Sequence, residues 1–159
     1  MSSNVNIRKC DHTDLDILIK MRLEFLKEAG HVKDGEDVSV LHSKLHGYIT
    51  MHLNNDLHFW LAEIENETVA AGAVSIWDKL PVNAGKGSSF KIAYFSNMYT
   101  KPGYRKKGIA SDIMKRIIQF LKEEGIQKAM LHALEDGKGI YKNFGFSSKE
   151  NLMEMDIYG

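Results

Sequence analysis

Three cations precede a glycine in the run Tyr104, Arg105, Lys106, Lys107, Gly108, Ile109, Ala110, and a strongly apolar helical pattern begins at once. Positive charge at a helix start opposes the helix dipole, which favours acids there. The arrangement becomes favourable when an anion docks against that start. The first N–H groups of a helix lack backbone partners, and together with the dipole they form an anion site. Gly108 has no Cβ to block a ligand's approach, Ala110 is nearly as small, and Ser111 adds a hydroxyl in the first turn. Arg105, Lys106 and Lys107 lie on the loop that wraps this start. The chemistry fits a phosphate or pyrophosphate cradle. A solvated basic turn would carry the same residues, so the flanking elements decide between the two.

Those elements alternate in type along the chain. Asn4 to Cys10 reads as a first strand, and Asp11 as an N-cap with Asp14 three residues on, in capping-box fashion. Leu15, Ile19, Leu23 and Leu26 have helical spacing, and Gly30 ends that helix. Val38, Leu41, Leu45, Tyr48, Ile49 and His52 define a second helix. Leu57 to Glu65 and Thr68 to Trp77 read as strands joined by a hairpin at Asn66 and Glu67. A glycine-rich loop, Pro81 to Ser89, leads to a long strand, Phe90 to Thr100, stopped by Pro102. Ile109 to Glu124 is the clearest helix, with Ile109, Ile113, Ile117 and Phe120 on one face and Gly125 after it. A strand at Lys128 to Leu134, a short helix at Asp136 to Phe144 and a last strand at Asn151 to Tyr158 complete the order β-α-α-β-β-β-α-β-α-β. This predicts an α/β (α+β) domain over residues 1–159, a mixed central sheet flanked by about four helices. The basic run therefore joins a strand to an amphipathic helix, as a cradle requires.

Bulk properties narrow the function. The 159 residues suffice for one domain with a core, and Lys plus Arg balance Asp plus Glu at 21 each. Such neutrality argues against a dedicated nucleic-acid or membrane binder. No apolar run reaches membrane-spanning length, and the N-terminus has no apolar signal core, so the chain reads as cytoplasmic. The single Cys10 forms neither an internal disulfide nor a thiolate metal site, and no metal is expected. His42 and His46 are half of a metal site at most, since Ser43 stands where a metalloprotease needs Glu.

The segment from Asn97 to Met114, NMYTKPGYRKKGIASDIM, resembles motif A of the GCN5-related N-acetyltransferases (GNAT), with its Q/R-x-x-G-x-G/A signature. The segment GIYKNFGF, Gly139 to Phe146, resembles their motif B, and the predicted element order matches their fold over nearly the whole chain. The resemblance implies an acetyl-CoA-dependent acyltransferase acting on a primary amine of a small molecule or protein by direct attack. It implies that Arg105, Lys106, Lys107, Gly108, Ile109, Ala110 and Ser111 hold the pyrophosphate of coenzyme A. Met98, Tyr99 and Thr100 would bind the pantetheine arm as an added strand. A bulge there would free a backbone N–H of Met98 or Tyr99 for the oxyanion. Tyr141 matches the family's general acid: a phenol, with a pKa of about 10, stays protonated at neutral pH and can protonate a departing thiolate.

Two departures stand out. The stretch before Tyr141, HALEDGKGI, lacks the asparagine that often contacts coenzyme A. The long strand FKIAYFSNMYT has no Asp or Glu to serve as general base. Water relayed through Ser96 or Asn97, Glu63 and His132 are the candidates left. Asp34, Glu36 and Asp37 lie in the loop expected to border the acceptor site, where they would attract a cationic amine or simply be solvated. Trp60, Trp77, Met153 and Met155 are expected in the core. The partners implied are acetyl-CoA and an amine, with a homodimer left open. The competing readings are a catalytically silent coenzyme A-binding module and a nucleic-acid binder using Lys101 and Arg105 to Lys107.

Overall fold

A computed structural model describes residues 4–81 and 91–159. The expected glycine-rich loop and Phe90 therefore lie outside the described residues, apart from Pro81. Strand β1 (Asn6–Lys9) leads to Asp11, whose side chain accepts from the Thr13 N–H while Asp14 accepts from the Asp11 N–H at 3.0 Å. This reciprocal cap starts a 3-10 turn, His12–Asp14, that runs into α1 (Leu15–Glu28). Helix α2 (Ser39–His52) follows. Strands β2 (Leu57–Ile64) and β3 (Glu67–Asp78) form a hairpin. Its turn residues are Glu65 and Asn66, both at positive φ, one position earlier than the sequence suggests. Then come β4 (Lys91–Thr100), α3 (Ile109–Glu123), β5 (Ala129–Met130) and α4 (Lys138–Asn143).

The sheet order is β1-β2-β3-β4-β5, antiparallel except for the parallel β4–β5 pair. Each face of the sheet carries its own core. Val69, Val74 and Phe95 meet Ile113, Met114 and Ile117 of α3 on one side. Phe59, Leu61 and Ala71 meet Leu18, Ile19 and Met21 of α1 and Ile49 of α2 on the other. Two covered faces explain why β2 is an almost unbroken apolar run rather than a clean alternation.

Several expectations need correction. The strand expected at 128–134 pairs only at Ala129 and Met130, because β4 leaves it beyond Tyr94. The expected last strand, Asn151–Tyr158, does not form. A two-residue β5 offers too little backbone edge to build a further ladder. Met153 and Met155 are consequently 92% and 77% exposed rather than core. Trp60 is buried as expected, whereas Trp77 is half exposed. No helix among the described residues is long and apolar enough to cross a membrane.

Candidate active site

The centre of β4 is irregular in a way that opens the sheet. Ala73 pairs with Ser96 and Ala71 with Tyr99, so Asn97 and Met98 together face the single residue Gly72. This is a β-bulge, which bends its strand and increases its twist. Asn97 takes φ +52°, a left-handed conformation that asparagine tolerates better than most residues. Glycine is required opposite: a Cβ on Gly72 would stand 2.6 Å from Ile113 Cγ2 and 2.7 Å from Met98 Sδ. Pairing of β4 with β5 stops at Tyr94 and Met130, so a gap begins beside the bulge.

The basic loop closes one end of that gap. Gly108, at φ +81°, is the N-cap residue of α3, and no side chain caps the helix. The backbone angle is the reason for glycine here, since a Cβ would meet no protein atom within 4 Å. The Asp112 N–H already bonds the Gly108 carbonyl at 3.0 Å, leaving the N–H groups of Ile109, Ala110 and Ser111 at the uncapped end. Lys106 and Lys107 stand exposed on the loop, with Lys106 itself at φ +62°. Arg105 is committed elsewhere. It donates to the Thr100 carbonyl at 2.7 Å and to Glu28 of α1 at 2.6 Å, and it lies over the Tyr99 ring. It therefore ties the loop to β4 and α1 rather than standing free at the helix start.

Tyr141, in α4, packs on the α3 side of the sheet against Phe146. Burial holds its phenol above the ordinary range, so the hydroxyl keeps its proton at neutral pH. The amide of Asn97 is buried, and neither of its polar atoms has a hydrogen-bond partner. Leaving a buried polar group unpaired costs about 1–3 kcal/mol. An uncapped helix start, an opened strand edge and an orphaned amide together suit a long ligand with an anionic end and a polar acyl end.

A further group was not assembled by sequence reasoning, although His132 was among its candidate bases. Trp77 stacks on Tyr94 with centroids 4.7 Å apart and planes 12° from parallel. The Tyr94 hydroxyl contacts His132 Nδ1, and His132 Nε2 lies 3.9 Å from Glu154 Oε1. Tyr94 and His132 are 38 positions apart, beyond any local pattern; the signals in the sequence were an aromatic on the strand that carries the bulge and His132 itself. The carboxylates that the sequence singled out have partners of their own. Glu63 accepts from Arg8 at 2.6 Å where β1 pairs with β2, at the other edge of the sheet. Asp34 pairs with Lys27, Glu36 accepts from the Lys33 N–H, and Asp37 accepts from the Ser39 N–H.

The sequence matches the Acetyltransferase (GNAT) family over residues 20–146. Among curated proteins no sequence matches the chain. A predicted acetyltransferase from Clostridium acetobutylicum, solved with acetyl-CoA, is similar at 30% identity with TM-score 0.85, over 97% of each chain. A GCN5-related N-acetyltransferase from Ralstonia eutropha shares the fold at 23% identity and TM-score 0.80, covering 98% of this chain and 100% of that one. Glucosamine-6-phosphate N-acetyltransferase from Arabidopsis thaliana shares it at 19% identity and TM-score 0.70, over 97% and 99%. With four-fifths of its length inside the family match and the β4 bulge leading into the uncapped helix, the chain belongs to the GNAT acetyltransferase family.

Proposed function

We propose that the protein transfers the acetyl group of acetyl-CoA directly to a primary amine. The observation that carries this reading is the pairing of a bulged, opened β4 with an uncapped α3 start. The thioester supplies the activated acetyl group. The N–H groups of Ile109, Ala110 and Ser111, with Lys106 and Lys107 beside them, bind its diphosphate. Arg105 acts by holding the loop in place.

Alternation along β4 sorts the remaining backbone groups. Ala93 donates to Lys128 on the β5 side, while Lys101 donates to Val69 of β3. Successive residues of an extended chain point their N–H groups to opposite sides. Counting back from Lys101 turns the Tyr99 N–H toward β3 and those of Met98 and Thr100 toward the opened edge. Met98 is thus the donor for the carbonyl oxygen as charge develops on it, and Thr100 the donor for the pantetheine arm. Tyr141 protonates the departing thiolate.

The reading is tested by thiol release from acetyl-CoA over a panel of alkyl, aminosugar and peptide amines, beside calorimetry with acetyl-CoA alone. Binding with amine-dependent release is the expected result. Binding with no release from any amine replaces the enzyme with a silent coenzyme A-binding module, and no binding removes the cradle.

A further inference from the structure

Direct transfer to an alkyl amine needs a group that removes the ammonium proton, and β4 carries no carboxylate to do it. Resting on the acetyl-transfer reading above, we propose that Tyr94 is the catalytic proton acceptor, with His132 and Glu154 behind it as a proton relay. The hydroxyl of Tyr94 touches His132 Nδ1, and Glu154 lies on the imidazole's other nitrogen. The three come from β4, the loop after β5 and the C-terminal segment, so this is a convergence and not a local motif. Tyr94 is the last β4 residue paired with β5, so its ring stands where the gap opens. Trp77 holds the ring face to face and limits its rotation.

The two sheet faces divide the chemistry. Tyr141 belongs to the α3 side. Ala93 and Phe95 lie in the core on the α3 side, so alternation along β4 turns Tyr94 to the opposite face, where the charge of Arg22 of α1 acts on it. An amine attacking a thioester and the departing sulfur flank the same carbonyl carbon, so a proton acceptor and a proton donor on opposite faces of one gap match direct transfer. Among the described residues, the charges of Arg22 and Glu154 act on Tyr94, and Glu154 also lies beside His132. The Arg22 cation works in the same direction as the relay, because a nearby positive charge disfavours a bound ammonium.

The proton count closes. An ammonium N–H proton passes to the Tyr94 oxygen as the Tyr94 proton passes to His132 Nδ1. The freed lone pair forms the C–N bond, the C–S bond breaks, and Tyr141 gives its proton to sulfur. The remaining acidic proton on the new amide nitrogen restores Tyr141. His132, with a side chain 60% exposed, returns its proton to water. Glu154 offsets the imidazolium charge in between.

The test compares two nucleophiles: the alkyl amine that the unaltered protein turns over fastest, and hydroxylamine, whose free base predominates at neutral pH. Tyr94→Phe and His132→Ala should each lower kcat for the alkyl amine by roughly 10²-fold. Turnover of hydroxylamine and calorimetric binding of acetyl-CoA should change little, and added imidazole should restore alkyl amine turnover to His132→Ala. Equal losses with both nucleophiles would reduce the pair to scaffolding, and full activity in His132→Ala would remove the relay. If the unaltered protein releases thiol with neither nucleophile, the acetyl-transfer reading itself falls, and this one with it. A second readout needs no acceptor. Nitrogen-15 spectra of His132 should show the proton on Nε2, with Nδ1 accepting, and Tyr94→Phe should disturb that pattern. A proton on Nδ1 would overturn the relay's direction.

Discussion

Tyr141 illustrates how one side chain's surroundings suit it to the donor role proposed for it. Its phenol is half-buried on the α3 side, and burial penalises the phenolate. A group kept protonated beyond the ordinary phenol range donates to a thiolate without itself being ionised at neutral pH. Tyr141→Phe retains the packing on Phe146 and removes only that proton. Turnover should fall roughly 10²-fold or more while acetyl-CoA affinity, measured by calorimetry, stays the same. Unchanged turnover across the pH range would take Tyr141 out of the reaction. Tyr141 was legible from its motif as a candidate donor. The Tyr94–His132 contact was not, because two residues 38 apart in sequence meet only after β4 and β5 have paired and parted. Arg105 was legible as part of the loop, but its tie to Glu28, 77 residues away, was not.

At the scale of elements, the bulge in β4 depends on an absence in β3. Gly72 leaves room for Met98 and Ile113 at a point where the ladder carries one residue too many. Gly72→Ala should cost about 1–3 kcal/mol by overpacking, read as a lowered denaturation midpoint. It should also weaken acetyl-CoA binding, since the displaced bulge shapes the opened edge. A stable variant with native affinity would show that the strand absorbs the methyl without moving. Helices α1, α2 and α3 were readable in advance because helical periodicity is written within a few turns, and α3 carries its apolar face at every third or fourth position. The extent of β5 and the fate of residues 151–158 were not. Alternating apolar residues mark strand potential, but a strand needs an edge to join, and that edge belongs to another part of the chain.

For the whole molecule, acid sensitivity follows from what the fold buries. His58 is only 7% exposed, and its pKa is lowered to about 4 by burial first and by the nearby Lys9 charge second. A base whose folded pKa is depressed stabilises the fold above its unfolded pKa, and that stability is lost as pH falls. Unfolding free energy should therefore drop by about 2–3 kcal/mol between pH 6.5 and pH 4, and His58→Gln should flatten that limb in denaturant titrations. Asp14 adds a second loss at lower pH, because its hydrogen bonds to Arg8 hold its carboxyl below the usual range. A variant with the original slope would place the acid sensitivity elsewhere.

The unpaired C-terminal segment gives the molecule a built-in chemical clock. Met153 and Met155 present their sulfur atoms to solvent, as Met51 does, while Met21 and Met114 are sealed inside the two cores. Dilute peroxide should convert the first three to sulfoxides well before the last two, a sequence that peptide mass spectrometry resolves. The lag before Met21 and Met114 react then times the opening of each sheet face separately, with no label added. Simultaneous oxidation of all five would mean that neither core excludes the reagent.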